Sequence, residues 1–110
     1  MRWGFQVLPQ AIIVRLFGVV DESLGEMFEK ATDRAVFLNK RQVVMDFSDA
    51  DSIDAFGLVL CGYGLHHFQQ LGIPVALVRP PDSLLSILKE HGLPEIPPVF
   101  LQSPSESSLN

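Results

Sequence analysis

With 110 residues, the chain is long enough to bury one hydrophobic core but not two. Its net charge of −5 at pH 7 and isoelectric point near 4.9 argue against nucleic acid or an anionic membrane as the main partner. A hydrophobic share of 47% with a mean hydropathy of +0.26 implies a sheet whose strands are covered, or an apolar patch kept for a partner.

Trp3, Phe5 and Val7 alternate with polar or small residues, which predicts a strand with one face inward. Pro9-Gln10 punctuates, and Ala11 to Val19 continues as a second strand joined to the first by a tight turn. Arg15, between Val14 and Leu16, is expected to point to solvent and guard the sheet face. No basic region followed by a long apolar run occurs in Met1 to Gln10, so no signal peptide is expected.

From Ser23 the period changes from two to three or four. Leu24, Met27 or Phe28, Ala31, Ala35 and Leu38 share one face of a predicted helix. Ser23 with Glu26 three residues later has the pattern of a capping box. Asn39-Lys40-Arg41 ends this helix with positive charge, which suits its negative C-terminal end.

Gln42 to Phe47 is apolar on both faces and reads as a central strand. The acidic stretch Ser48 to Ile53 then reads as a loop, with a second helix from about Asp54 to Gln70 closed by Gly72. Val75 to Val78 is a fourth strand, after Pro74. A third helix, about Asp82 to His91, stops at Gly92, with Pro94, Pro97 and Pro98 preventing its resumption. Val99-Phe100-Leu101 adds a short last strand. The expected domain is residues 1–101, and 102–110 forms a flexible Ser-rich tail. The order β-β-α-β-α-β-α-β predicts an α/β fold: a mixed, mostly parallel sheet of four to five strands with three main helices packed on it.

Candidate chemistry concentrates where the second helix begins. Asp54 is placed to cap it, its carboxylate accepting from the N–H of Phe56 or Gly57. Helix N-termini favour anions, so such a loop reads first as a phosphate station. Gly57, Cys61, Gly62 and Gly64 put small residues along the helix; for Gly62 and Gly64 tight helix-on-sheet packing is the simpler account.

Val43-Val44-Met45-Asp46-Phe47-Ser48 followed by Ile53-Asp54-Ala55-Phe56-Gly57-Leu58 resembles the signature of STAS domains, the anti-sigma factor antagonist fold. Leu71-Gly72-Ile73-Pro74-Val75-Ala76-Leu77-Val78 is similar to the family's turn into its next strand, and Leu84 to Leu93 to its last helix. The resemblance covers roughly residues 5 to 101. It carries Asp46, Asp54, Gly57 and Leu58 onto the family pattern, and puts the family's phosphoacceptor hydroxyl at Ala55 and the next hydroxyl position at Phe56. Ala55 has no hydroxyl and resembles the permanently unphosphorylated, binding-competent state.

The resemblance therefore implies a bacterial-type, non-catalytic, protein-binding regulatory domain of partner-switching signalling and transcription control. It would dock through Asp54, Ala55, Phe56, Gly57 and Leu58 on an anti-sigma factor or switch kinase, unswitched by phosphorylation at the usual place. Asp46, Ser48, Asp49, Asp51 and Ser52 would rim or support that surface. Inward folding of Phe56 as core is an equal expectation. Ser48 and Ser52 are turn formers by type, and also the nearest surrogate hydroxyls for phosphorylation. The alternative role is an accessory subunit of a lipid-trafficking ABC transporter, gripping its ATPase. A small-molecule sensor is a third class that no residue specifically supports. Self-association into a weak homodimer is compatible with all of these.

No other constellation carries chemistry. His66 and His67 point about 100° apart on a helix and lack an acidic or Cys partner at i+3 or i+4, so no metal is expected there or at His91, and no cofactor. The single cysteine, Cys61, lies in an apolar stretch as inert packing and suits a reducing compartment. Asp46 and Asp54 are a formal carboxylate pair, but strand-end hydrogen bonding and capping account for both. The apolar runs are too short to span a bilayer. A cytoplasmic protein without direct membrane insertion is expected.

Overall fold

The alternating segment at Trp3 and the apolar run from Ala11 form an antiparallel pair, β1 (Arg2–Val7) and β2 (Ala11–Val20). They are seen in a computed structural model that describes residues 1–39, 41–91 and 96–102. The turn between them is closed by the Leu8 N–H donating to the Ala11 carbonyl at 2.7 Å. There follow α1 (Leu24–Phe37), β3 (Gln42–Ile53), α2 (Ala55–Gln70), β4 (Val75–Val78), α3 (Asp82–His91) and β5 (Val99–Phe100).

The five strands lie in the order β1-β2-β3-β4-β5, and every pair after the first is parallel. Each parallel step needs a crossover, and α1, α2 and α3 supply the three. Side chains alternate across each strand. Ile12, Val14 and Leu16, Val43, Met45 and Phe47, and Val75 and Leu77 meet the three helices in one buried cluster. Ala11, Ile13, Val44, Ala76 and Val78 point the other way and form a smaller cluster with Leu8. β3 is the middle strand, in keeping with its two apolar faces.

α1 buries Leu24, Met27, Phe28, Ala31 and Ala35, the stripe that its period predicts. Its start departs from expectation. Ser23 is already in helical conformation and makes no side-chain cap, so no capping box forms. Asp21 takes that role two residues earlier: its Oδ1 accepts the Ser23 N–H at 2.9 Å, and this hydrogen bond holds its carboxyl below the usual carboxylate range. Glu26 pairs instead with Lys30 at 3.4 Å. At the other end of the second helix, Gly72 takes φ +72°. Its N–H donates to the Gln69 carbonyl at 3.1 Å and the Ile73 N–H to that of Phe68 at 2.9 Å, a Schellman closure.

Three further expectations are corrected. Ser48 to Ile53 is strand rather than loop: β3 continues to Ile53, pairing Asp49 with Phe17 and Ile53 with Val20 through two register shifts. Its backbone pairs with β2, and Ala50 and Ile53 pack against the core, but Ser48, Asp49, Asp51 and Ser52 are exposed and need not be apolar. Leu101 is outside β5 and is 82% exposed. Arg15 is half-buried: its guanidinium donates to Gln6 Oε1 at 3.0 Å and lies 3.8 Å from Asp46 Oδ2. The expectations for Lys40, the Gly92-to-Pro94 stop and the tail from 103 onward fall outside the described residues.

Gly62 and Gly64 separate cleanly. A Cβ on Gly64 would strike the Phe28 ring of α1, whereas one on Gly62 would meet nothing within 4 Å. Phe28 cannot easily yield, because it packs edge-on against Phe68 with ring centroids 5.4 Å apart. The close approach is thus helix on helix, and only Gly64 needs it. Urea denaturation should show opposite signs. Gly62→Ala should stabilise the fold by about 0.5–1 kcal/mol through helix propensity, and Gly64→Ala should destabilise it by about 1–3 kcal/mol through overpacking.

Candidate functional site

The start of α2 is fixed to the end of β2. The Asp54 N–H donates to the Val20 carbonyl at 3.0 Å, and Gly57 lies against that same carbonyl, where any Cβ would collide with the oxygen. Asp54 is extended, and its Oδ1 accepts the Gly57 N–H at 2.8 Å. The expected cap therefore forms, with Gly57 as the donor. It also places the protein's own carboxylate in the positive end of the helix, so the phosphate-station reading gives way to a self-capped one.

This anchoring decides which side chains face out. Asp54, Ala55 and Phe56 are exposed, Phe56 at 68%, while Gly57 is buried and Leu58 packs partly against the core. Phe56 does not fold inward. The helix turns Gly57, Cys61, Leu65 and Phe68 to the core and leaves Val59 at 54% and Tyr63 at 71% exposure on the same side as Phe56. From Ala55 to Gln70 there is no Asp, Glu, Lys or Arg. A helix apolar on all sides is ordinarily buried; this one has an uncovered side.

The acidic residues split into two places. Ser48, Asp51 and Ser52 line a shallow cleft of about 250 Å³ with Phe47, Ala50, Arg79 and Pro81. It exists because β4 stops at Val78 while β3 runs on to Ile53. Beyond β4 the chain turns away at Arg79, which takes φ +49° and donates its N–H to the Phe100 carbonyl at 2.9 Å. Asp49 is exposed on the same strand. Asp46 is elsewhere: it is 4% exposed, and its Oδ1 accepts the Ser48 N–H at 2.9 Å. Its other oxygen faces Arg15. The eight residues from Asp46 to Asp54 span roughly 25 Å of extended chain, so the two carboxylates do not act as a pair.

Sequence reasoning missed Val59, Tyr63 and Arg79. The first two carry a readable signal, since 56, 59 and 63 recur at helical spacing. Arg79 carries none, because its placement depends on where β4 ends. Burial pushes the Cys61 thiol up to about 12. Among the described residues no group of three or more His, Cys, Asp or Glu side chains is arranged to hold a metal, and no helix is long and apolar enough to cross a membrane.

The sequence profile of the STAS domain family matches residues 3–105. No curated protein sequence matches the chain. Several solved structures share its fold. The anti-sigma factor antagonist SpoIIAA in its unphosphorylated form is 16% identical, with a TM-score of 0.67 covering 98% of this chain and 94% of that one. The Bacillus cell fate determinant SpoIIAA in its phosphorylated form is 17% identical, with a TM-score of 0.69 and coverages of 97% and 96%. A serine-to-glutamate variant of RsbS from Moorella thermoacetica is 17% identical, with a TM-score of 0.74 and coverages of 99% and 94%. At these identities the likeness is one of fold.

Two measurements check the site's construction. Asp54→Ala should cost about 0.5–2 kcal/mol in denaturant unfolding, with Asp54→Asn retaining most of it. The thiolate is the reactive form of cysteine, so Cys61 should resist a disulfide reagent at pH 8 in the folded protein and titrate fully in urea.

Proposed function

Because the chain belongs to the STAS domain family, we propose that it is a non-catalytic regulatory module that docks a protein partner through the start of α2. The partner class is an anti-sigma factor or a related switch kinase. Phe56 carries this reading. It stands 68% exposed on a helix turn held rigid by the Asp54 cap and the Val20 carbonyl. A pre-organised aromatic anchor of this kind loses little conformational entropy on docking. In this reading the exposed Asp49, Asp51 and Asp54 supply the polar rim of the docking surface, while Gly57 and Leu58 pack inward.

Regulation would differ from that of a phosphorylated member. Phosphorylation adds about −1.5 to −2 charges, which break an interface through repulsion and desolvation. Neither Ala55 nor Phe56 has a hydroxyl, so the contact is constitutive at this position. Docking sequesters the partner and frees whatever output protein the partner would otherwise hold.

The test is affinity capture from the source cell with wild type and Phe56→Asp, each captured protein being identified. The expected result is a kinase-like or anti-sigma partner bound by wild type and weakened at least about tenfold by the substitution. Because Phe56 is exposed, the melting curve should be essentially unchanged. A transporter ATPase as the sole specific partner would favour the accessory-subunit role, and an identical partner set for both proteins would sink the docking surface. With the captured kinase and ATP no label should be incorporated; label at Ser48 or Ser52 would overturn the constitutive reading.

A further inference from the structure

The two edges of the sheet are built differently. β5, at one end of the strand order, is two residues long and follows Pro97 and Pro98; shortness and proline are ordinary ways of blocking an edge. β1, at the other end, is six residues long and has neither proline nor lysine. It pairs with β2 from Arg2↔Phe17 to Val7↔Ile12 without a bulge. Its one charged residue, Arg2, leans back over the Phe17 ring at 5.9 Å. An unblocked edge of this kind is a template for another strand. We propose that β1 pairs with β1 of a second copy, antiparallel about a two-fold axis at Gly4, joining two five-stranded sheets into one.

The hydrogen-bond phase of the β1–β2 hairpin decides which main-chain groups are free. The Leu8 N–H donates to the Ala11 carbonyl, and hydrogen-bonded pairs alternate along an antiparallel ladder. Gln6, Gly4 and Arg2 are therefore bonded to β2, while the N–H and C=O groups of Trp3 and Phe5 point outward. Among the described residues no hydrogen bond reaches those outward groups. Such a row is met in full only by another extended main chain. Two copies match when Trp3 of one lies opposite Phe5 of the other, and each such pair exchanges both of its N–H···O bonds.

The side chains select a second copy over an unrelated strand. Arg2-Trp3-Gly4-Phe5-Gln6 runs polar, aromatic, glycine, aromatic, polar in both directions. Trp3 and Phe5 are half-buried against the core on the helix side. In this register they meet as cross-strand aromatic pairs and carry the core across the joint. On the other side Arg2 falls opposite Gln6, so no like charges are opposed. Gly4 meets its own equivalent at a non-hydrogen-bonded position, where the two Cα atoms approach to about 4.5 Å. Nothing within one copy requires this glycine. Its φ is not left-handed, it makes no bulge, and a Cβ there would meet nothing within 4 Å. Glycine inside a strand weakens it and often marks close approach by another backbone; the two-fold axis supplies that approach. The joint uses β1 and not α2, so it stands independently of the docking reading above, and purified chain alone tests it.

Sedimentation velocity on the full chain should show a weight-average mass that rises with concentration. Gly4→Lys and Gly4→Glu each set like charges face to face at the axis. Each should weaken the association at least about tenfold, with unchanged circular dichroism because the site has room for a side chain. An equimolar mixture of the two variants should associate again, since opposite charges then meet across the axis. Disulfide trapping reads the register. Gly4→Cys should cross-link to its equivalent under mild oxidation. Arg2→Cys should not, since its two copies lie roughly 14 Å apart along the strands at about 3.4 Å per residue. Wild type, whose Cys61 is buried, is the blank. A monomer at every concentration, a mixture no more associated than its components, no cross-link at residue 4, or a cross-link at residue 2 would each overturn the pairing.

Discussion

The carbonyl of Val20 is the point from which the working end of this protein is organised. It accepts the Asp54 N–H and has Gly57 pressed on it so closely that no side chain fits there. Two consequences follow from that one contact. The last residue of β2 is tied to the first turn of α2, so the strand ends and the helix begins at a fixed place. The rotation of α2 about its axis is fixed too, since Gly57 must face the strand. With Gly57 inward, Phe56, Val59 and Tyr63 are outward by the geometry of 3.6 residues per turn. The exposed aromatic surface is thus a result of where one glycine has to sit.

The polar groups near this end are used up in holding the backbone. Asp54 satisfies a helix N–H, Asp46 a strand N–H, and Asp21 the N–H that opens α1. Arg15 joins Gln6 of β1 to Asp46 of β3 across β2. A buried carboxylate without such partners would cost several kcal/mol, and this pairing lets Asp46 sit in the middle of the sheet. These acids are structural in the literal sense that each closes a named hydrogen bond. What remains exposed is the apolar side of α2 and the acids Asp49 and Asp51.

A helix with no formally charged residue over its whole length makes sense only if most of its circumference is covered. The sheet covers one side of α2, and α1 and α3 cover the flanks. An uncovered remainder carrying two aromatic rings is a surface with few uses besides association. A domain without a hydroxyl at positions 55 and 56 cannot answer a kinase there.

The element order, the central place of β3, the inward stripe of α1, the cap at Asp54 and the family itself are all legible in the residues. Each is written in local periodicity or in a short motif whose chemistry is decided within a few positions. Three things are not. That Ser48 to Ile53 is strand depends on pairing with Phe17 to Val20, some thirty residues away, and its exposed Ser48, Asp49, Asp51 and Ser52 give it no apolar alternation to read. That Asp21 rather than Ser23 opens α1 depends on where β2 stops. Whether Phe56 turns in or out was balanced in the sequence, because Phe is at home in a core and at an interface alike; the Val20 carbonyl decided it. By itself the sequence determined the order of helices and strands and that positions 55 and 56 carry no hydroxyl, since those depend on near neighbours or on residue type alone. Only the tertiary structure decided which face of α2 is left bare, because that rotation is set by a contact between two residues thirty-seven positions apart.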